Sequence, residues 1–155
     1  MNMSGCPCGL GEYESCCEPL HKGQQAAITA EQLMRSRYSA FARQQIDYIQ
    51  STTALGQQQA LDIPAIRDWS VSNQWLQLDI VQTNEKLDKS HALVEFKAHF
   101  HDGKQVQVHH EVSHFVKQAG RWYFLDPTLE QTLTMKQPCI CGSGKKLKQC
   151  CEQFL

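Results

Sequence analysis

The chain has no cysteine between Cys17 and Cys139, so that long stretch supplies neither a thiol nucleophile nor a disulfide. It has no apolar run long enough to cross a bilayer. The opening segment, MNMSGCPCGLGEYESCCEPL, lacks the continuous apolar core of an export signal. The expected compartment is therefore a reducing cytoplasm. Charge excess is also missing: 15 Lys and Arg face 16 Asp and Glu, for a formal net charge of -1. The molecule as a whole carries no polyanion-binding signature. No nucleophile elbow, P-loop or dinucleotide fingerprint occurs in it.

What is present is concentrated at the ends. All eight cysteines fall in two clusters, Cys6, Cys8, Cys16, Cys17 and Cys139, Cys141, Cys150, Cys151. Each reads C-x-C followed by an adjacent pair. C-x-C brings two thiolates from one tight turn, and the pair brings two more from a second segment. Four such donors make a tetrahedral site. Zn²⁺ is the expected ion at both ends, and Fe²⁺ suits the same donors. The competing readings are disulfides, free thiols or a redox switch. A disulfide between adjacent cysteines closes a strained eight-membered ring, and the compartment favours metal.

Four thiolates and a dication leave a charge of about -2 to be relieved by amides and cations. Gly142-Ser143-Gly144 can turn its amides toward sulfur. Lys145, Lys146 and Lys148 follow, and with Lys136 they form a basic patch. The N-terminal cluster carries Glu12, Glu14 and Glu18 instead. The two modules therefore cannot present the same surface.

The run Cys139-Ile-Cys141-Gly-Ser-Gly-Lys-Lys-Leu-Lys-Gln-Cys150-Cys151 resembles the SEC-C motif, the metal-binding tail of the SecA translocation motor. The N-terminal cluster resembles it with a departure. Seven residues separate Cys8 from Cys16, against eight between Cys141 and Cys150. That leaves open whether Cys16, Cys17 or His21 completes the set.

The body between the clusters starts with helical signals. Thr29 and Gln32 form a capping box, with Ile28 and Leu33 at the staple positions. Leu33, Met34, Tyr38, Phe41, Ile46 and Ile49 then predict one long helix to about Thr52. Arg35 and Arg37 flank its apolar face, where a solvated or paired surface role is the ordinary one. A second helix is predicted from Asp62, with Pro64 in its first turn, ending near 70–74.

After Trp75 the period becomes two. Strands are expected around Leu76–Ile80, Ala92–Phe100, Val106–Val116 and Arg121–Leu125, with turns at Asp102-Gly103 and Gly120. This is an α+β domain, helices first and an antiparallel meander after. A bulge at Gly103 is expected to align Val106, Val108 and Val112 with Phe100, Phe96 and Val94, because burial fixes register. Glu111, Ser113 and Phe115 would then lie on the other face, beside His109.

The helices and curved four-strand sheet are similar to the NTF2-like fold. Leu33-Met-Arg-Ser-Arg-Tyr-Ser-Ala-Phe41, His110-Glu-Val-Ser-His-Phe115 and Gly120-Arg-Trp-Tyr-Phe-Leu-Asp126 resemble the YchJ-like family, as do Cys-Pro-Cys-Gly and Pro19-Leu-His21. The resemblance implies an NTF2-like domain over 28–130 between SEC-C modules at 1–24 and 136–155. It brings no known reaction.

Within the body the candidate pocket residues are Arg37, His110, Glu111 and His114, with His109 on the opposite face of its strand from His110. A histidine beside a carboxylate suits proton transfer, yet strand histidines are ordinarily packed or hydrogen-bonded. Three functional classes follow. In the first, the metal modules dock a partner. Lys145, Lys146 and Lys148 would meet an anionic surface such as the ribosome or an export chaperone, and the central domain serves as scaffold or ligand cup. The second is an NTF2-like enzyme or small-ligand binder using the cone near Glu111. The third is a metal-buffering or redox-sensing protein.

Overall fold

The computed structural model describes residues 5–129 and 131–155. The first four residues of the expected N-terminal module, and Glu130 at the expected end of the central domain, lie outside them. Among the described residues, four α-helices precede four strands: α1 (Glu18–His21), α2 (Ala30–Arg43), α3 (Ile46–Ser51), α4 (Ile63–Ser72), then β1 (Gln74–Asn84), β2 (His91–His101), β3 (Val106–Gln118) and β4 (Arg121–Leu125). The strands form one antiparallel sheet in the order β1-β2-β3-β4.

α2 starts where its cap predicts. The Thr29 hydroxyl accepts from the Gln32 amide at 3.0 Å, and the Gln32 side chain accepts from the Ile28 amide at 2.8 Å. Both Glu85 carboxylate oxygens, from the β1–β2 hairpin, accept the next two amides, Ala30 at 2.8 Å and Glu31 at 3.0 Å. A carboxylate there satisfies orphan donors and complements the helix dipole. The expected staple does not form, because Ile28 is 80% exposed.

The single long helix is also corrected. Gln44 takes a left-handed conformation (φ 59°, ψ 37°), and its amide reaches back to Ala40 and Phe41. That left-handed cap ends α2. α3 restarts at Ile46, and Ile46 and Ile49 pack with Ala40 and with Ile63 and Ile66 of α4. α4 follows its prediction, with the Asp62 carboxylate accepting the Ala65 amide.

Register is the main departure. Four residues, Asp102–Gln105, close the β2–β3 hairpin, and Val106 lies opposite His101. The Asp102 carboxylate accepts from the Lys104 and Gln105 amides, and Gly103 supplies the positive φ of 96°. Val106, Val108 and Val112 therefore point away from the core and stand 57%, 51% and 44% exposed. His109, Glu111, Ser113 and Phe115 share the inner face with Ala98, Phe96, Val94 and Ala92. Phe115 decides this: it is fully buried against the inner core, and a one-residue slip would eject it. The bulges lie instead in β1, at Trp75/Gln77 and Ile80/Gln82, where they curve the sheet over α2.

Candidate functional site

The C-terminal nest is built from a tight turn and a short helical step. Cys139 donates its amide to the Lys145 carbonyl at 2.8 Å, and Gly142 donates to Cys139 at 3.1 Å. A 3-10 turn, Leu147–Gln149, leads into Cys150, and Cys151 caps the 3-10 turn Glu152–Phe154. The N-terminal segment follows the same path. Cys6 donates to Gly11 at 2.6 Å and Gly9 to Cys6 at 3.0 Å. The 3-10 turn Tyr13–Ser15 leads into Cys16, and Cys17 caps α1. Cys16 (φ -111°, ψ -94°) and Cys150 (φ -132°, ψ -96°) even share an unusual backbone state. Gly11 and Lys145 occupy the same place, each accepting from the first cysteine of its nest, so the residue missing from the shorter loop falls in the turn before Gly11, where the other nest has Ser143 and left-handed Gly144 (φ 84°).

In each nest the four Sγ atoms lie within 4.8 Å of one another. Cys141–Cys150 and Cys150–Cys151 are 3.6 and 3.8 Å apart, and Cys8–Cys16 and Cys16–Cys17 are 3.4 and 4.0 Å. The edge of a ZnS₄ tetrahedron with 2.3 Å bonds is about 3.8 Å. Only Cys16 is half-buried; the other seven are buried. This soft, crowded, converging donor set fits a four-coordinate Zn²⁺ or Fe²⁺.

Electrostatics favours a cation in each nest. Hydrogen bonding from Cys151 holds the Cys141 thiol down to about 4. Burial pushes Cys150 up to about 11, and Cys151 is pushed far higher, first by its bond to Cys141 and then by burial. At the other end Cys6 is held far down by Cys17, while Cys16 is pushed up to about 12 by burial. Four thiols in such proximity share few charges among themselves; a dication lets all four ionise.

His21 is not needed as a ligand. Its Nδ1 meets the Tyr13 hydroxyl at 2.7 Å and its Nε2 the Ser36 carbonyl at 2.8 Å. It fastens the N-terminal module to α2, along with Arg35, which donates to the Cys8 carbonyl at 3.0 Å. Arg43 also lies over the Tyr13 ring, at 4.0 Å. Positions 35, 39 and 43 are one face of α2, and Ser39 contributes a 3.5 Å contact to Cys6 Sγ.

The C-terminal module packs on the outer face of the sheet. Its four cysteines, Ile140 and Leu147 share one apolar cluster with Ala54, Val116 and Leu125. Gly56 donates to the Ile140 carbonyl at 2.6 Å. A Cβ at Gly56 would meet the Ile140 Cα at 2.8 Å, so glycine is required by close approach. Leu147 is fully buried while Lys145, Lys146 and Lys148 are exposed. The same turn thus anchors the module and projects its lysines outward.

One residue here is invisible in the sequence. His91, buried at the start of β2, places Nε2 3.3 Å from Cys151 Sγ and Nδ1 2.9 Å from the Asp88 carboxylate. Its ring stacks on Phe154 with centroids 4.4 Å apart. The Asp88–His91 spacing is local, but the sulfur is sixty positions away and leaves no sequence signal. Outer-shell partners of this kind orient metal ligands. His91→Ala should speed release of the C-terminal ion to a chelator by about 10–100-fold. Release from the N-terminal nest of the same chain should stay unchanged, giving two kinetic phases of which one moves.

The inner face of the sheet forms a cup closed by α2 and α4. It encloses about 200 Å³ and is lined by Arg37, Glu111, His109, Ser113, Asp126 and an apolar wall that includes Trp69, Trp75, Phe41 and Phe96. Arg37 is not solvated: it is 7% exposed. It donates from Nη1 to the Ile49 carbonyl at 2.9 Å and to the Thr52 hydroxyl at 2.8 Å, with its guanidinium 4.5 Å above the Phe124 ring. Its pKa is lowered by burial to about 10. Glu111 accepts from the Ser113 hydroxyl and lies 3.5 Å from His109 Nε2. The His109 bond holds this carboxyl below its ordinary range and raises the imidazole above its own.

Of the four candidate pocket residues the cup gathers Arg37 and Glu111 only. His110 faces out and binds Glu95 at 2.6 Å. His114 also faces out, against Phe154, with ring centroids 5.3 Å apart. Sequence does not single out Trp69, Trp75 or Ser113, because only the true register and the α4 packing bring them to the cup.

Comparison with known proteins agrees with this architecture. The family model described as YchJ, middle NTF2-like domain, matches residues 29–127, and the SEC-C motif matches residues 135–153. A UPF0225 protein of Actinobacillus succinogenes is 48% identical over 97% of this chain and 97% of its own length. One from Haemophilus influenzae is 47% identical, covering 100% of this chain and 96% of the relative. A crystal structure of a SEC-C motif containing protein from Psychrobacter arcticus is 44% identical, with a TM-score of 0.90 over 99% of this chain and 98% of that one. A solution structure of another, from Rhodopseudomonas palustris, is 40% identical, with a TM-score of 0.73 over 79% and 95%. An NTF2-like domain with a tetra-cysteine nest at either end, matched along nearly its whole length, makes this chain a member of the YchJ (UPF0225) family.

Proposed function

We propose that the chain is a cytoplasmic zinc protein whose SEC-C modules, at 1–24 and 136–155, flank an NTF2-like scaffold at 28–130. Each nest holds one Zn²⁺, Cys6, Cys8, Cys16 and Cys17 at one end and Cys139, Cys141, Cys150 and Cys151 at the other. The C-terminal module docks an anionic partner. The observation that carries this is the division of labour in one turn: buried Leu147 seats the module, and exposed Lys145, Lys146 and Lys148 face outward. A structural ion fixes that turn, so three flexible cations are presented on a rigid edge. The N-terminal edge presents Glu12 and Glu14 instead, so the docking face is the C-terminal one.

Ribosomal RNA is the anionic surface that such an edge suits best, with an acidic export chaperone as the protein counterpart. In co-sedimentation with ribosomes, the triple variant Lys145→Ala, Lys146→Ala, Lys148→Ala should bind more weakly at low salt. The slope of log affinity against log salt should fall by about 3, one for each phosphate that is no longer neutralised. An unchanged slope would remove the docking role from these lysines.

A further inference from the structure

The cup is a built cavity that the docking role does not use. We propose that it binds a small uncharged molecule: a single ring bearing one carboxamide-type head, whose carbonyl accepts from Arg37 and whose N–H donates to Glu111. This goes beyond the docking reading and does not depend on it.

Size sets the first limit. A cavity of about 150 Å³ is enough to hold a benzene ring. The cup, at about 200 Å³, admits one ring and a small head but not a fused system. Shape sets the second. Trp69 and Trp75 meet edge to face at 5.9 Å between centroids, and Phe41 lies 5.7 Å from Trp75. Such walls receive a flat apolar body.

The polar groups choose the head. A guanidinium has five N–H donors. Arg37 spends Nη1 on Ile49, Thr52 and Thr53. Among the described residues no protein acceptor meets its Nε or Nη2, although the side chain is almost wholly buried and lines the cavity. These donors call for an oxygen. Glu111 has the opposite need. One oxygen takes the Ser113 hydroxyl, and among the described residues the other has only the 3.5 Å contact to His109. It calls for a donor. Arg37 makes no ion pair with a carboxylate among the described residues, so the two groups do not satisfy each other.

Charge balance excludes an ionic head. The cup lining holds two carboxylates, Glu111 and Asp126, and two basic groups, Arg37 and His109. With His109 protonated these sum to zero. An anion gains from Arg37 but meets Glu111, and a cation meets the reverse. A neutral group that both accepts and donates fits without leaving either partner bare.

The test titrates benzamide, benzoate and benzylamine into the full metal-loaded chain at pH 6, read by Trp69 and Trp75 indole shifts in NMR. The three share one ring and differ in head charge. Benzamide should saturate with a dissociation constant on the order of 1 mM, usual for a ligand of this size. Benzoate and benzylamine should bind at least about tenfold more weakly. Glu111→Gln should narrow the gap between benzamide and benzoate by about tenfold, because the repelling carboxylate is gone. Benzoate binding more tightly than benzamide to the native chain would overturn the proposal. So would an absence of saturable binding by all three. These native-chain results decide the matter even if Glu111→Gln folds poorly.

Discussion

Stripping the ion from the C-terminal nest should lower the melting temperature of the whole chain by about 6–24 °C. The four cysteines, Ile140 and Leu147 cover Val116 and Leu125 of the sheet in one shared cluster. Both of these are essentially fully buried. Without a cation the crowded thiols cannot all ionise, so the turn loses the bonds that close it. Uncovering Val116 and Leu125 then costs about 1.5–3 kcal/mol each, or about 3–6 kcal/mol together. In a chain of this size each kcal/mol moves the midpoint by about 2–4 °C. The sheet itself should persist at 25 °C, because the inner core of Leu33, Val94, Phe96 and Phe115 is a separate cluster. Circular dichroism melts with and without chelator check this, and Cys141→Ser isolates the C-terminal nest from the N-terminal one. An unchanged midpoint would mean that the module does not support the body.

Arg37→Met should destabilise the chain by about 2 kcal/mol or more, although it fills much the same volume. The guanidinium makes charge-assisted hydrogen bonds to the Ile49 carbonyl and the Thr52 hydroxyl and lies over Phe124. Bonds to a charged donor contribute about 1.5–3 kcal/mol, and a desolvated cation–π contact about 2 kcal/mol. Relief of arginine desolvation offsets part of that loss. Glu111, which feels the Arg37 charge, would be left with a weaker counter-field. Arg37→Lys should not restore stability, because an ammonium placed to make the Nη1 bonds cannot also lie flat over the Phe124 ring. Urea denaturation of the three proteins measures this, and a methionine variant within about 0.5 kcal/mol of the native chain would contradict it.

What is legible in the sequence is local. The Thr29 cap, the Asp62 cap and the four strands come from spacing over a few residues, and each is present. The two cysteine clusters are legible because four sulfurs from two short segments leave few alternatives to a metal. What fails is tertiary. Valines at 106, 108 and 112 suggest one inner face, but Phe115 claims it, and the same shift carries Glu111 and His109 into the cup. Arg37 looks like a surface arginine because nothing within one helix turn shows that Ile49, Thr52 and Phe124 will surround it. The break at Gln44 has no proline or glycine to announce it; the packing of Ile46 and Ile49 against α4 selects it. His91 and Glu85 act across sixty and fifty-five positions, and no local pattern marks either.

Folding of each end of the chain around an ion held by sulfur is open to direct measurement. Native mass spectrometry of protein purified without added metal, paired with a count of alkylatable thiols after denaturation, addresses it directly. Two metal ions per chain and eight reduced cysteines are expected. A metal-free mass with cysteines joined in disulfides would contradict it.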